Sequence, residues 1–482
     1  MRLLIPVLLA SAAVSAQPLR LYPENPHYFL FAGRPAVLIT SGEHYGAVLN
    51  LDFDYVRYLN TLRADHLNLT RTFSGSYREV PGNFKIASNT LAPAPGRYIA
   101  PWRQAGGRFD LTKWDDSYFV RLKDFVAQAA RAGVVVELDL FCPLYEDSMW
   151  NASPMNTRNN VNGIGDVART DVLALKDERL TAVQDAMVRK IVGELRDFDN
   201  LYYEICNEPY FQGVTLEWQE HISRVIAETE AGFAKKHLIA QNWANGSSRI
   251  DRPNPLVSLF NFHYSRPPDS VAMNWQLNRA IGNNETGFDG AADATYRIQG
   301  WDFLMAGGAL YNNLDYSFTV GHEDGTFAPP AETPGGGSAA LRRQLRYLRA
   351  FFDEIPFWRM RPAAVGLVRA PDGATARALE EPGNLFAIYI HHGRVVKDGK
   401  PRFQVDGAAM SRHVTLQLPR GAYTAAWRDP HTGRDVRTDT FAVAGPDEPA
   451  RLATPDEPAR LATPVYAEDI ALVVRAVSRP AR

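Results

Sequence analysis

Short apolar runs alternate with amphipathic stretches along the first three-quarters of the chain. Ala36–Thr40 (AVLIT), Leu67–Phe73 (LNLTRTF), Val134–Phe141 (VVVELDLF), Leu201–Tyr210 (LYYEICNEPY), His237–Asn242, Val257–His263, Ala280–Gly287 (AIGNNETG) and Gly308–Phe318 (GALYNNLDYSF) read as strands. Several are nearly unbroken apolar runs, the pattern of parallel strands covered on both faces. Between them apolar residues recur at helical spacing. Asp52 is placed to cap a helix carrying Tyr55, Leu59 and Leu62. Ser117–Ala132 shows Phe119, Leu122, Val126 and Ala129 on one side and stops at Gly133. Thr181–Phe198, Leu216–Lys235, Ala272–Arg279 and Asp293–Met305 follow, and Leu341, Leu345, Leu348 and Phe352 mark the last helix. Repeated strand–helix alternation over roughly 320 residues predicts an α/β fold, a (β/α)8 TIM barrel. A doubly wound sheet would carry a Gly-rich loop after its first strand, and none is present.

After Pro356–Pro362 the pattern changes. Leu385–Ile390, Val414–Leu418, Ala422–Trp427 and Ile470–Val474 are short strands separated by turn residues such as Asp429-Pro430 and Thr432-Gly433. They predict a smaller all-β sandwich. The expected organisation is therefore a signal peptide over 1–16, a catalytic barrel with an N-terminal lead-in over 17–356, and a β-sandwich over 357–482. Within the sandwich, Pro446–Thr454 (PDEPARLAT) recurs unchanged as Pro455–Thr463. Nine residues are too few for an architectural repeat, and the composition suggests a surface loop without functional effect.

Met1-Arg2, the apolar run Leu3–Ala10 and the small residues Val14-Ser15-Ala16 have the layout of a secretory signal, with Gln17 as the first mature residue. A secreted or periplasmic location follows as an expectation. The net charge of −2 points to neither nucleic acid nor a membrane surface as partner. Oligomeric state is left open. Cys142 and Cys206 are the only cysteines. Export permits a bond between them, and two buried free thiols are the simpler reading. No Cys/His spacing resembles a metal site, so neither metal nor cofactor is expected.

Two strands end in a glutamate. Glu208, in Asn207-Glu208-Pro209, closes the fourth, and Pro209 keeps the backbone from entering a helix. Glu285 closes the seventh among Asn283, Asn284 and Thr286. Strands four and seven lie across an eight-stranded ring, so both carboxyls reach one pocket at the C-terminal face. Paired carboxyls suit glycosidic cleavage, one protonating the leaving oxygen and the other attacking the sugar carbon. Burial and nearby negative charge are expected to raise the pKa of Glu208. Asn207 is placed to bond a sugar hydroxyl. His44 follows the first strand as a further candidate ligand, and Trp150 and Trp301 are candidates for stacking on a sugar face. Glu204 reads as a buried partner of Arg71.

These motifs resemble glycoside hydrolase clan A, and roughly residues 30–355 look like a cellulase-like member of family 5. The resemblance implies a retaining glycosidase with Glu208 as acid/base and Glu285 as nucleophile. It also implies that Arg71, at the end of strand two, supports the nucleophile. The family's His-x-Tyr after strand six is here the adjacent pair His263-Tyr264. Its strand-eight tryptophan is replaced by Tyr311, Asn312, Asn313 and Tyr316, with Asn313 the candidate ligand. The segment 421–434 (GAYTAAWRDPHTGR) resembles a β-sandwich appended to several barrel glycosidases. The substrate implied is an oligosaccharide, polysaccharide or glycoside. A transglycosylase on the same pair and a glycan-binding protein without catalysis are the alternatives.

Overall fold

The computed structural model describes residues 17–211, 213–443 and 458–477. The signal peptide expected over 1–16 and the first copy of the duplicated nonapeptide lie outside the described residues. A small antiparallel sheet (Arg20–Leu21, Phe29–Phe31, Arg34–Ala36) leads into the main body.

Eight parallel strands then form one ring: β1 (Leu38–Gly42), β2 (Leu69–Phe73), β3 (Val135–Asp139), β4 (Leu201–Glu204), β5 (Ile239–Asn245), β6 (Leu259–His263), β7 (Ala280–Glu285) and β8 (Leu310–Leu314). Their order, β1-β8-β7-β6-β5-β4-β3-β2, follows the chain around the barrel. The β1–β2 seam has no regular ladder. Asn68 closes it: its backbone N–H donates to Ile39 O at 3.2 Å, its side-chain amide donates to Val37 O at 2.9 Å, and its side-chain oxygen accepts from Ile39 N at 2.8 Å. One polar side chain thus satisfies the backbone groups left by the missing ladder.

Helices α1 (Tyr55–Ala64), α2 (Asp116–Ala132), α3 (Glu178–Leu195), α4 (Leu216–Thr229), α5 (Asp269–Asn274), α6 (Asp293–Met305) and α7 (Ala339–Glu354) surround the ring. The cap of α1 is Asp54, which accepts from Arg57 N at 3.0 Å, rather than Asp52. Asp52 instead pairs with Arg97 at 2.6 Å. Asp115 caps α2, and Gly133, at φ +72°, ends it in the left-handed region where a Cβ would be strained. Among the described residues no helix is long and apolar enough to cross a membrane.

The C-terminal module packs a six-stranded antiparallel sheet against a three-stranded one. The larger contains β9 (Thr375–Glu381), β10 (Leu385–His391), β14 (Gly421–Arg428), β15 (Asp435–Val443) and β17 (Asp469–Ala476). The smaller contains β13 (His413–Leu416) and β16 (Ala459–Ala462), and a hairpin of β11 (Gly393–Val395) and β12 (Phe403–Val405) projects from the module. The second copy of the duplicated nonapeptide is therefore not simply a surface loop. Its Ala459–Ala462 pairs with β13 and buries Leu461.

Alternation along β10 explains how the module is held. Phe386, Ile388 and Ile390 face the sandwich interior, whereas Leu385, Ala387 and Tyr389 join the barrel's own apolar core. Trp301 of α6 is fully buried and stacks on Tyr389, with ring centroids 5.2 Å apart. Beside this contact the buried Arg297 bonds Asp469 at 2.9 Å and Glu468 at 2.6 Å. The two modules thus share one core, and each large apolar side chain buried in it contributes roughly 1.5–3 kcal/mol. Residues 17–356 expressed alone should aggregate through the uncovered faces of α6 and α7, as measured by size-exclusion chromatography. A soluble, fully stable barrel would contradict the shared core.

Candidate active site

The ring's C-terminal half is filled by polar side chains centred on Arg71 of β2. The guanidinium is fully buried. Its Nε lies 3.1 Å from Glu137 and 2.9 Å from Asp139, both of β3, and its Nη2 donates to Glu204 of β4 at 2.5 Å and to Asn207 at 2.8 Å. Its Nη1 donates to Glu285 at 3.2 Å. Glu137 and Asp139 point the same way because side chains two apart on a strand share a face. Asn261 and Asn284 donate to Glu204 at 2.6 and 2.9 Å. Burial pushes the carboxyl of Glu137 up to about 8, and those of Asp139 and Glu204 up to about 7, against the opposing pull of Arg71.

Above this layer stand the two strand-end glutamates. Glu285 accepts from Arg71 and from the Tyr45 hydroxyl, each at 3.2 Å, and from the Tyr264 hydroxyl. Glu208 accepts from Tyr145 at 2.6 Å and from Tyr210 at 3.3 Å. His263 lies between them, its Nδ1 3.1 Å from Glu208 and 3.5 Å from Glu285. One oxygen of each carboxylate and a His263 nitrogen lie within 4.8 Å of one another. Tyr45, Glu208, Tyr264, Phe84 and Phe288 all have positive φ between +38° and +65°. For non-glycine residues such backbone costs on the order of 1–3 kcal/mol each. Its concentration here points to function.

The Glu208 carboxyl is depressed, which corrects the expectation of a raised value. Desolvation pushes it up, but the bonds and charge of His263, with help from Tyr145 and Asn245, outweigh burial. His44 is raised, since Glu79, 3.6 Å away, outweighs burial.

Two connected spaces open over the pair. An inner chamber of about 60 Å³ is lined by His44, Tyr45, Tyr77, Asn207 and both glutamates. An outer cleft of about 970 Å³ is lined by Glu208 but not Glu285. Phe84, Phe211 and Phe288 are the exposed phenylalanines among the described residues, and all three line the outer cleft with Tyr145.

The structure brings together Glu208, Glu285, Asn207, His263, Tyr264 and His44. Arg71 is beneath the cleft, so it positions Glu285 instead of facing a ligand. Trp150 is buried away from both spaces, with its indole N–H on Val167 O at 3.0 Å. Trp301 is under the β-module. Asn313 is buried, bonding Ser41 at 3.1 Å and Thr286 at 3.2 Å. Neither tryptophan lines the outer cleft, whose aromatic lining is Phe84, Phe211, Phe288, Tyr145 and Tyr264. Cys142 and Cys206 are both free and buried.

Sequence reasoning missed Tyr45, Glu79, Tyr145, Asn245 and the β11–β12 hairpin. Tyr45 and Tyr145 carried one available signal, since each follows a strand-end loop on the barrel's active face.

Among the described residues three clusters have donors close enough to hold a metal: Glu208-His263-Glu285, Glu137-Asp139-Glu204 and His431-Glu468-Asp469. An arginine reaches into each one. Arg71 bonds Glu285 and all three acids of the second cluster, and Arg297 bonds both acids of the third. A fixed guanidinium repels a cation, so these donor sets fit a metal poorly.

No protein-family model and no curated protein matches the sequence. Solved structures match the fold over nearly the whole chain. A glycoside hydrolase family 5 protein from Bacteroides vulgatus ATCC 8482 gives a TM-score of 0.60 at 12% identity, covering 95% of this chain and 94% of its own. A second protein of that strain, provisionally assigned as a glycoside hydrolase, gives 0.62 at 13% identity, covering 96% and 83%. A third, named simply as a glycoside hydrolase, gives 0.59 at 12%, covering 96% and 98%. The chain therefore has the fold of a (β/α)8 barrel with an appended β-module.

Arg71→Met should leave several buried carboxylates without their cation and cost about 3–5 kcal/mol. Chemical denaturation against the parent protein measures it. A loss under about 1 kcal/mol would mean the acids are neutral without Arg71.

Proposed function

We propose that this protein is a retaining glycoside hydrolase, exported after removal of residues 1–16. The observation that carries the reading is the approach of a Glu208 and a Glu285 oxygen to within 4.8 Å in the inner chamber that both carboxyls line. Carboxyls about 5–5.5 Å apart suit double displacement, while inversion needs roughly 6.5–9.5 Å to admit a water. The glycoside hydrolase names of the structural neighbours agree with it.

The two spaces divide the roles. Glu285 faces only the inner chamber, so the anomeric carbon it attacks must reach the mouth of that chamber. Glu208 faces both, as an acid must when the departing oxygen leads outward. In the first step a Glu285 oxygen bonds the anomeric carbon, the carbon–oxygen bond to the leaving group breaks, and the Glu208 proton passes to that oxygen. In the second, ionised Glu208 takes a proton from water. The water oxygen displaces Glu285 and releases the sugar with its configuration retained. Arg71, Tyr45 and Tyr264 orient the nucleophile through three hydrogen bonds.

The depressed pKa of Glu208 belongs to the open cleft. Substrate covering the carboxyl strengthens desolvation, the opposing influence, and favours the protonated acid.

Glu285→Ala should reduce turnover of an activated aryl glycoside by roughly 10³-fold or more, with no retained product restored by azide. Glu208→Ala should slow poor leaving groups most and yield a retained glycosyl azide. Product analysis by NMR reads both, and the opposite pattern would exchange the roles.

His263→Phe removes the chief interaction that lowers the Glu208 pKa. Because the acid must be protonated, raising its pKa extends activity to higher pH. The basic limb of the kcat/KM profile should move to higher pH. A shift downward would place another group on that limb.

A further inference from the structure

We infer that the outer cleft receives an anionic aglycone, a uronate or sulfated sugar or another acid-bearing leaving group, held by Lys397, Lys400 and Arg402 of the β-module. The inference rests on the glycosidase reading of the same cleft and adds the chemical class of its leaving group.

The turn between β11 and β12 lies over the barrel's mouth. Val395 and the run Lys397–Arg402 form one wall of the outer cleft, which Glu208 and the aromatic residues also line. The turn is anchored on both sides. Phe403 is buried at its base, and Gly393 packs so closely that a Cβ there would meet the Phe403 ring at 2.5 Å. On the barrel side the turn comes close to Gly290, in the loop that follows Glu285, where a Cβ would meet Pro401 at 3.7 Å. The wall is therefore fixed relative to the catalytic pair.

Its charge is unbalanced. Lys397, Lys400 and Arg402 are exposed and form no ion pair or side-chain hydrogen bond among the described residues. Asp398 is the single carboxylate of the turn. Arg266, the barrel's cation in this space, is already paired with Asp289 at 2.6 Å. The chain as a whole is slightly acidic, so three free cations on one wall are not a general background. A cleft with low-dielectric walls focuses such a field, and phenylalanines beside it cover the apolar face of a ring. Since Glu208 faces this space and Glu285 does not, the ligand there is the leaving group. Uronate and sulfate share the chemistry the turn selects, a compact anion on a sugar-sized ring.

The test uses the full-length protein and a Lys397→Ala/Lys400→Ala/Arg402→Ala variant. Three aryl glycosides of one sugar are compared, with 3-carboxyphenyl, 3-sulfonatophenyl or 3-carbamoylphenyl leaving groups. The variant should lose about tenfold in kcat/KM on the two anionic substrates and stay within about twofold on the neutral one. The loss should shrink at high salt. A larger loss on the carboxylate identifies uronates as the source, and a larger loss on the sulfonate identifies sulfated sugars. Equal loss on all three, or none on the anions, overturns the inference and leaves the hydrolase reading intact. If no aryl glycoside is turned over, the hydrolase reading fails. Calorimetry with oligogalacturonate and dextran sulfate fragments, against neutral xylo-oligosaccharides, then decides the charge preference. Acidic binding that the variant loses supports it, and its absence overturns it.

Discussion

A single buried guanidinium sets the terms for this molecule. Arg71 meets Glu137, Asp139, Glu204 and Glu285, supplied by three other strands of the ring. Burial in this dry interior lifts the carboxyls of Glu137, Asp139 and Glu204 to about 7–8, and the single positive charge offsets it only in part. The amides of Asn261 and Asn284 and the Tyr202 hydroxyl supply further hydrogen bonds to Glu137 and Glu204. The arrangement exists only when β2, β3, β4 and β7 occupy neighbouring parts of a closed barrel. Asn68 has more than a local role for that reason: by closing the β1–β2 seam it brings Arg71 into the ring. Glu285 gains its orientation from that assembly through its bond to Arg71.

The barrel was legible because its strands are short, apolar and separated by helical periodicity. Glu208 and Glu285 were legible because strand ends on one face of a barrel converge, whatever their distance along the chain. Tyr45, Glu79 and Tyr145 were not, because they reach the site through loops whose path has no periodic signal. The pKa of Glu208 was misjudged for a related reason. Burial could be inferred from position, but the seating of His263 between the two glutamates depends on backbone turns at Glu208 and Tyr264.

Trp301 shows a different limit. On a barrel helix an aromatic residue has two apolar destinations, the ring within or a partner outside. The pattern along α6 cannot separate them, since the helix is buried on nearly every side. The answer lies some ninety residues further on, where Tyr389 alternates outward from the sandwich to meet it. A duplicated nonapeptide posed the same difficulty. Its proline and charged residues suggested a loop, yet Leu461 pairs into a sheet because β13 offers it an open edge.

The β-module has consequences beyond support. Its core-facing strand β10 is continuous with the chain that turns at His392 into the β11–β12 hairpin. The contact that seats Tyr389 on Trp301 therefore also determines where Lys397, Lys400 and Arg402 stand relative to Glu208. The cationic turn and the carboxyl pair come from separate modules, and the shared apolar core sets the distance between them. Loosening that core would separate the cationic wall from the acid it faces before it disturbed the ring of strands holding the carboxyl pair. The barrel positions Glu208 and Glu285, while the appended sheet supplies part of the lining of the outer cleft beside Glu208.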